Sequence, residues 1–410
     1  MTRTPPQPAP NPTVLTLIMC VAHVAIIMDA FTFATLIKTF EAEWRLSRAE
    51  QGMISGIYFA CYVPAVPVLM ALTDRIDARR IFMAGCLLIG AAAAGFGLFA
   101  DGFWTAALFR GLSGLGFASA YMPGLRVLVD RFQAPWQSRA IAFYTSSWSL
   151  GTAVSFLAAG IIGEAFGWQA AFYAGAVAAA GAFVLVQVTL GPNPPTPPGP
   201  DARLFDFRPV LKNRPALGYM FSYAAHTWEL LAFRAWLVAF LVFSLARQPE
   251  PMVGWFAEPA RIATLSAIAA MASNVLGNEF AVRFGRVRVI VAIQIVTGAI
   301  ACALGFFGAA PYALIAALVV VYAMLVQADS GSLTAGLVAA AEQGRRGATI
   351  AVYQVIGWIG GATGPVVVGI VLGLFADETP TAWGCAFIAM GGIAFLGAAI
   401  LSALSGRGLR

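Results

Sequence analysis

Charged residues lie inside long apolar runs of this sequence, where each must be paired or must take part in chemistry. The members of this set are Asp29, Arg110, Arg126, Glu229, Arg234, Glu279 and Asp329. Two histidines, His23 and His226, have similar surroundings. A charge in hydrocarbon costs about 2.5–3.5 kcal/mol even on insertion scales. Carboxylates and imidazoles in such a medium can exchange protons, and arginines can bind anions, so the set predicts both kinds of chemistry.

Asp29 and Arg110 are predicted to form a pair. Counted from the ends of their apolar runs, both lie roughly 10–12 Å below the same membrane surface at the helical rise of 1.5 Å per residue. One interpretation is a permanent salt bridge. The other is a switch, in which protonation of Asp29 frees Arg110 to bind an anionic substrate.

A second group of candidates comes later in the chain. His226 and Glu229 are three residues apart and share a helix face, so they predict either a proton-exchange site or a polar cluster that braces the structure. Arg234 is a candidate substrate anchor. Asp329 is interpreted as a gate residue or a second proton site, and His23 as polar packing.

Two further charge pairs have helical spacing near the ends of apolar runs. Arg126 and Asp130 are four residues apart, as are Glu279 and Arg283, so each pair is expected to form a gate or interface ion pair.

Aromatic residues inside the runs are the remaining candidates for the substrate site. Tyr144, Trp148 and Tyr353 are predicted to contact substrate, with lipid-facing or packing roles as the alternative.

The elements that hold these residues are predicted to be membrane helices. Hydrophobic residues make up 60% of the chain, charged residues 11%, and the mean hydropathy is +0.80, values far from those of soluble domains. Twelve apolar runs are long enough to cross a bilayer as helices. The runs cover residues 14–37, 52–72, 81–100, 103–129, 140–162, 169–190, 216–243, 253–282, 287–309, 312–339, 348–375 and 382–404.

The predicted organisation is two six-helix bundles, residues 14–190 and 216–404, in an all-α integral membrane protein. A proline-rich linker, 191–215, separates them, and residues 1–13 and 405–410 form tails. Basic residues concentrate on the side of both tails, which predicts cytoplasmic termini. The composition and short loops favour a bacterial inner membrane.

The two halves resemble each other. Arg75, Arg80 and Ile81 align with Arg283, Arg288 and Val289 at an offset of 208 residues. Ala142, Phe143, Tyr144 and Gly151 align with Ala351, Val352, Tyr353 and Gly360 at an offset of 209. Offsets in two segments that agree to within one residue indicate duplication. Parallel repeats of six helices with substrate held between them are a transporter architecture.

The repeated segments also resemble a known family, the major facilitator superfamily. Residues 74–80 resemble its cytoplasmic signature between helices two and three, with Met70 and Asp77 in place of two glycines. Residues 277–286 resemble a second copy, with Val282 at the acidic position.

Residues 108–111 resemble the family's helix-four motif, which carries a buried arginine. The resemblance implies that helices one, four, seven and ten line a central cavity, that Asp74 and Arg75 belong to a gate, and that the protein is a monomer.

These observations together predict a secondary transporter, with proton-coupled uptake of a small organic anion as the leading hypothesis. Export of a cationic or neutral compound is the alternative. A membrane-embedded sensor is disfavoured because no loop exceeds the linker in length. No cofactor, metal, nucleic acid or enzymatic activity is expected, because no phosphate-binding loop, metal-ligand spacing or nucleophile constellation occurs in the sequence.

Overall fold

The structure, a computed structural model, describes residues 11–133, 136–195, 208–250, 252–342 and 345–405. Within these ranges the chain forms α-helices, short 3-10 turns and loops, without a strand. The helices of the first half are α1 Pro12–Ile27, α2 Thr32–Thr35, α3 Ile37–Trp44, α4 Arg48–Leu72, α5 Ala78–Phe99, α6 Phe103–Val129, α7 Trp136–Phe166 and α8 Trp168–Thr189. Those of the second half are α9 Arg214–Leu245, α10 Pro259–Phe284, α11 Arg286–Leu304, α12 Tyr312–Ala328, α13 Ser330–Ala340, α14 Arg346–Gly373, α15 Pro380–Gly391 and α16 Ile393–Leu404.

Eleven helical stretches in the described part of the chain are long and apolar enough to cross a membrane. They correspond to the second through twelfth predicted spans, with α12 and α13, and likewise α15 and α16, counted together. The first predicted span, residues 14–37, is instead interrupted after Ile27, which leaves α1 shorter than the others. The count of twelve crossings therefore stays a prediction.

The helices group into two bundles, α1–α8 and α9–α16, which pack mainly through α4 against α14 and α7 against α10. Described residues of the linker attach to their own bundles. The Asn193 N–H donates to Asp77 Oδ2 at 2.7 Å, and Asn213 Nδ2 donates to the Ala340 carbonyl at 2.8 Å. We call the side of the linker and both chain ends the terminal face. Residues 1–10, 196–207 and 406–410, which hold most of the predicted tails and the middle of the linker, lie outside the described residues.

Helix ends follow local sequence signals. Ser47 and Glu50 form a reciprocal capping box at the start of α4. Gly285, at φ 97°, separates α10 from α11 in a conformation that favours glycine.

The bundles are closed together on the face opposite the termini. Small residues permit this close approach, because a Cβ added to Gly52 or Gly56 would overlap the Pro365 or Ala362 carbonyl of α14. A Cβ on Gly160 of α7 would likewise press on Ala260 of α10. The cavity described below therefore lies on the terminal side of this closure.

Candidate functional site

The first helix is interrupted between Ile27 and Thr32, and the freed backbone groups are bonded by side chains of other helices. Ser155 Oγ of α7 donates to the Met28 carbonyl at 2.8 Å and accepts from the Phe31 N–H at 3.0 Å. A buried backbone group without a partner is costly, so these bonds stabilise the interruption.

Arg110 of α6 completes that arrangement. Its Nη1 donates to the Asp29 carbonyl at 3.0 Å and its Nη2 to the Ala30 carbonyl at 2.6 Å. Nη1 also lies 3.3 Å from the Asp29 carboxylate, so the predicted pair is present, and both residues are buried. The sequence did not indicate the backbone bonds, because they depend on where the first helix breaks.

The second half contains a comparable interruption at Asp329, between α12 and α13. The Asp329 carboxylate lies 2.7 Å from His226 Nδ1 and accepts a hydrogen bond from Gln294 Nε2 at 2.9 Å. Sequence spacing placed His226 with Glu229, but the nearer carboxylate comes from another helix. Gln294, an amide inside an apolar run, was the available signal for this cluster.

Glu229 has separate partners. Tyr322 OH donates to its Oε1 at 2.7 Å, and Thr297 Oγ1 donates to its Oε2 at 3.4 Å. Glu229 is buried, and hydroxyl groups of two other helices hold it.

Arg234 is buried between the bundles. Its Nη2 donates to Gln327 Oε1 at 3.2 Å, its guanidinium lies 5.8 Å from the ring of Phe31 in the other half, and its Nη1 is without a hydrogen-bond partner. Among the described residues no carboxylate lies within salt-bridge distance of it. Arg234 also borders a small void that Phe156 and Ser266 help to line.

A cavity of about 660 Å³ lies between the bundles. Trp148 and Tyr353, two of the predicted substrate residues, line it together with His226 and Gln327. Its other lining residues include Tyr121, Thr145, Ser149, Tyr223, Asn274, Thr334, Gln354 and Trp358. The structure thus brings aromatic rings, amides and one imidazole around one space.

Other predicted site residues do not line this cavity. Tyr144 is buried behind Tyr121, donates to the Tyr121 carbonyl at 3.0 Å and stacks on His23 with ring centroids 4.3 Å apart. Asp29, Arg110 and Glu229 are likewise enclosed by protein groups rather than by the cavity. Proximity along a helix did not distinguish residues that face the space from those one layer behind it.

The predicted gate residues lie near the terminal face, and they are unequally connected. Arg126 is 2.6 Å from Asp130 and 3.4 Å from Asp74, which joins α6 to the signature loop. Arg75 of that loop is exposed.

The Glu279–Arg283 pair is not formed, and this expectation was wrong. Both side chains are exposed on the last turns of α10, and the Arg283 guanidinium lies 5.4 Å from the Phe284 ring instead. Solvated charges at a helix end gain little from pairing.

The ion pairs that join the two halves in the described chain are all on the opposite face, and sequence reasoning missed them. Glu378 contacts Lys38 and lies 3.8 Å from Arg48 Nη2. Arg48 Nη1 also donates to the carbonyls of Leu372 and Phe375 at 3.0 and 2.9 Å. Glu378 lies in the loop between α14 and α15, far in sequence from Lys38 and Arg48, so no helical spacing indicated these contacts.

Comparisons with known proteins agree with this architecture. The family profile described as Major Facilitator Superfamily matches residues 19–256. Protein spinster homolog 1 of Rattus norvegicus is 24% identical over 36% of this chain, and the match spans only 28% of that protein. The niacin transporter NiaP of Acinetobacter baylyi is 28% identical over 38% of this chain and 35% of its own length.

Two solved structures share the fold over nearly the whole chain. A bacterial homolog of the human lysosomal transporter Spinster, in an inward-facing and occupied conformation, gives a TM-score of 0.76 at 16% identity over 97% of this chain and 98% of its own. A mutant of the nucleoside transporter NupG gives 0.78 at 16% identity over 95% of this chain and 100% of its own. At such identity the likeness concerns the fold alone.

Proposed function

Because the chain belongs to the Major Facilitator Superfamily, we propose that it is a secondary transporter that couples uptake of a small organic anion to protons. Two bundles around a central cavity suit alternating access, in which the bundles rock against each other. We place the chain in a bacterial inner membrane with both termini in the cytoplasm, and we expect it to be a monomer.

The observation that carries the anion proposal is Arg234. A guanidinium buried between the halves without a carboxylate partner is costly in a membrane, and a bound anion would offset that cost. Gln327 accepts a hydrogen bond from Arg234 and also lines the cavity. Only this amide therefore separates an anion in the cavity from the Arg234 guanidinium.

Four buried groups support coupling to protons. Asp29 is held by Arg110, Glu229 by Tyr322, and Asp329 by His226. We propose that protonation of Asp29 weakens its contact with Arg110, which then joins Arg234 in binding the carboxylate. Glu229, His226 and Asp329 are the corresponding proton groups of the second half.

Alternating access requires the closure to open and the other side to close. Glu378, Lys38 and Arg48 hold the opposite face shut. We propose that Asp74, Arg75, Arg126 and Asp130 act as the gate of the terminal face in the other conformation, while Glu279 and Arg283 have the weaker case because they form no pair.

Export of a cationic or neutral compound is the second candidate. The cavity lining within the described chain contains no arginine, and Arg110 is occupied by backbone carbonyls. Among the similar proteins, the niacin transporter is named for a small carboxylic acid, which agrees with the first proposal.

Proton flux in liposomes that contain the purified chain and an internal pH dye distinguishes the two candidates. We expect small carboxylates to acidify the interior, and Asp29→Asn to abolish that signal. Arg234→Gln should raise the half-saturating concentration about tenfold, the loss expected for a charge-assisted hydrogen bond.

Arg214→Gln is the matched control, since Arg214 is exposed at the start of the same helix and should leave the half-saturating concentration unchanged. If Arg234→Gln behaves like this control, Arg234 is not the anion anchor. If only amines release protons, the export candidate replaces the uptake proposal.

A further inference from the structure

The central cavity has an aromatic wall on each side. In the second half, Tyr223 and Tyr353 stack with ring centroids 4.0 Å apart and planes 13° apart. In the first half, Tyr121 and Trp148 lie 5.9 Å apart. All four residues line the cavity, so aromatic side chains of opposite bundles border the same space.

Neighbouring groups hold the rings in place. Tyr353 OH lies 3.0 Å from Thr334 Oγ1, and Tyr223 packs so closely on Gly357 that an added Cβ there would overlap the ring. On the other side Tyr121 stacks on the buried Phe117 at 5.4 Å. Rings fixed in this way lose little conformational entropy when a flat ligand stacks on them.

Polar groups converge beside the aromatic walls. Asp329 Oδ1 lies 2.7 Å from His226 Nδ1, which leaves Nε2 for a ligand, and Nε2 donates to an anion when the imidazole carries the proton of the proposed coupling. Gln327 lines the same cavity and connects to Arg234. An anionic group bound there would meet an imidazole and an amide, with a guanidinium directly behind.

We propose that the substrate is a planar aromatic ring that bears a carboxylate, with the ring between the two walls and the carboxylate toward His226 and Gln327. This inference rests on the proposed anion uptake and names its substrate class. A flat ring gains from stacking on fixed aromatic faces, whereas an aliphatic chain or a puckered ring of equal size does not. The ring would also contact both bundles at once, which is how binding can couple to their movement.

Calorimetric titration of the purified full chain tests the proposal with four compounds. Benzoate and cyclohexanecarboxylate have similar size and equal charge, but only benzoate is flat and aromatic. Benzamide keeps the ring without the charge, and decanoate keeps the charge on an aliphatic chain. We expect benzoate to bind about tenfold more tightly than cyclohexanecarboxylate, the factor expected from stacking.

The outcomes separate this inference from the proposed function. Equal binding of benzoate and cyclohexanecarboxylate overturns the proposal that the substrate is aromatic, and it leaves the proposal of anion uptake standing. If benzamide binds as tightly as benzoate and cyclohexanecarboxylate binds weakly, the result supports an aromatic substrate and counts against an anionic one. The proposal of an aromatic substrate is also overturned if decanoate binds most tightly, or if benzoate shows no saturable binding at millimolar concentration.

Substitutions of Tyr223 test whether the preference for benzoate arises at the aromatic walls. Tyr223→Leu should remove the preference for benzoate over cyclohexanecarboxylate, and Tyr223→Phe should keep it and verify that the site still folds. Phe221→Leu is the matched control, because Phe221 lies two residues earlier on α9 with its side chain exposed. An unchanged preference in Tyr223→Leu also overturns the proposal.

Discussion

The two halves each place an aspartate where a membrane helix is interrupted, but they use it differently. In the first half, Arg110 bonds the carbonyls freed by the interruption and contacts Asp29 with the same guanidinium. In the second half, the neutral Asn274 accepts from the Gly331 N–H at 2.8 Å beside the interruption. Asp329 is therefore free to hold His226, which faces the cavity.

The contrast shows that the side chain that satisfies the backbone of a broken helix decides whether a nearby charge is available for binding. Each interruption exposes backbone groups that lipid cannot hydrogen-bond. Where a charged side chain satisfies them, that charge is fixed in the structure. Where a neutral amide does so, the charge remains available to the binding site. The expected division is a structural switch in the first half and a ligand site in the second.

The largest expected effect is that of Arg110→Gln. The change removes two backbone bonds and leaves Asp29 buried without its cation, so the free energy of unfolding should fall by about 3 kcal/mol and uptake should cease. Thermal unfolding in detergent and liposome uptake measure the two effects.

Arg126→Gln on the same helix serves as the control for stability, because Arg126 is one-third exposed and its loss should change the free energy of unfolding little. An Arg110→Gln protein of normal stability, with only a higher substrate dissociation constant, would mean that Arg110 does not stabilise the interruption, and it would erase the contrast between the halves.

Asp329→Asn should have an intermediate effect and act on binding. Loss of the charge that orients His226 is expected to raise the substrate dissociation constant about tenfold and to change stability less than Arg110→Gln does. Because the two residues act together, adding His226→Gln should cost little more.

Asp101→Asn, at an exposed loop position, is the control for Asp329→Asn. Additive effects of Asp329→Asn and His226→Gln on the dissociation constant would mean that the two side chains bind independently.

The smallest effect is expected at the closure of the opposite face. Glu378→Gln removes the carboxylate that Lys38 and Arg48 share and should favour opening there. The reactivity of a thiol introduced by Thr264→Cys at the α7–α10 contact should rise about fivefold, as expected for about 1 kcal/mol.

Glu41→Gln tests whether the loss of any Lys38 partner suffices. Glu41 lies 2.8 Å from Lys38 within the same half, so its removal should not raise thiol reactivity. Equal reactivity in the two variants would show that Glu378 does not hold the halves together.

The sequence by itself determined the membrane class, and it predicted the division into two bundles and the depth of the charged residues. Apolar length fixes a crossing helix, and the rise per residue fixes depth, so Asp29 and Arg110 were expected to meet. Those relations act along one helix at a time and need no knowledge of neighbours.

Only the tertiary structure decided which partner each charge has and which side chains face the cavity. His226 pairs with Asp329 rather than Glu229, and Tyr144 is one layer behind Tyr121, because helix rotation and packing set these contacts. The interruption at Asp29 was equally hidden, since its cost is met by Ser155 and Arg110 from distant parts of the chain. A broken membrane helix is stable only when other helices satisfy its backbone, and that condition exists only in the assembled bundle.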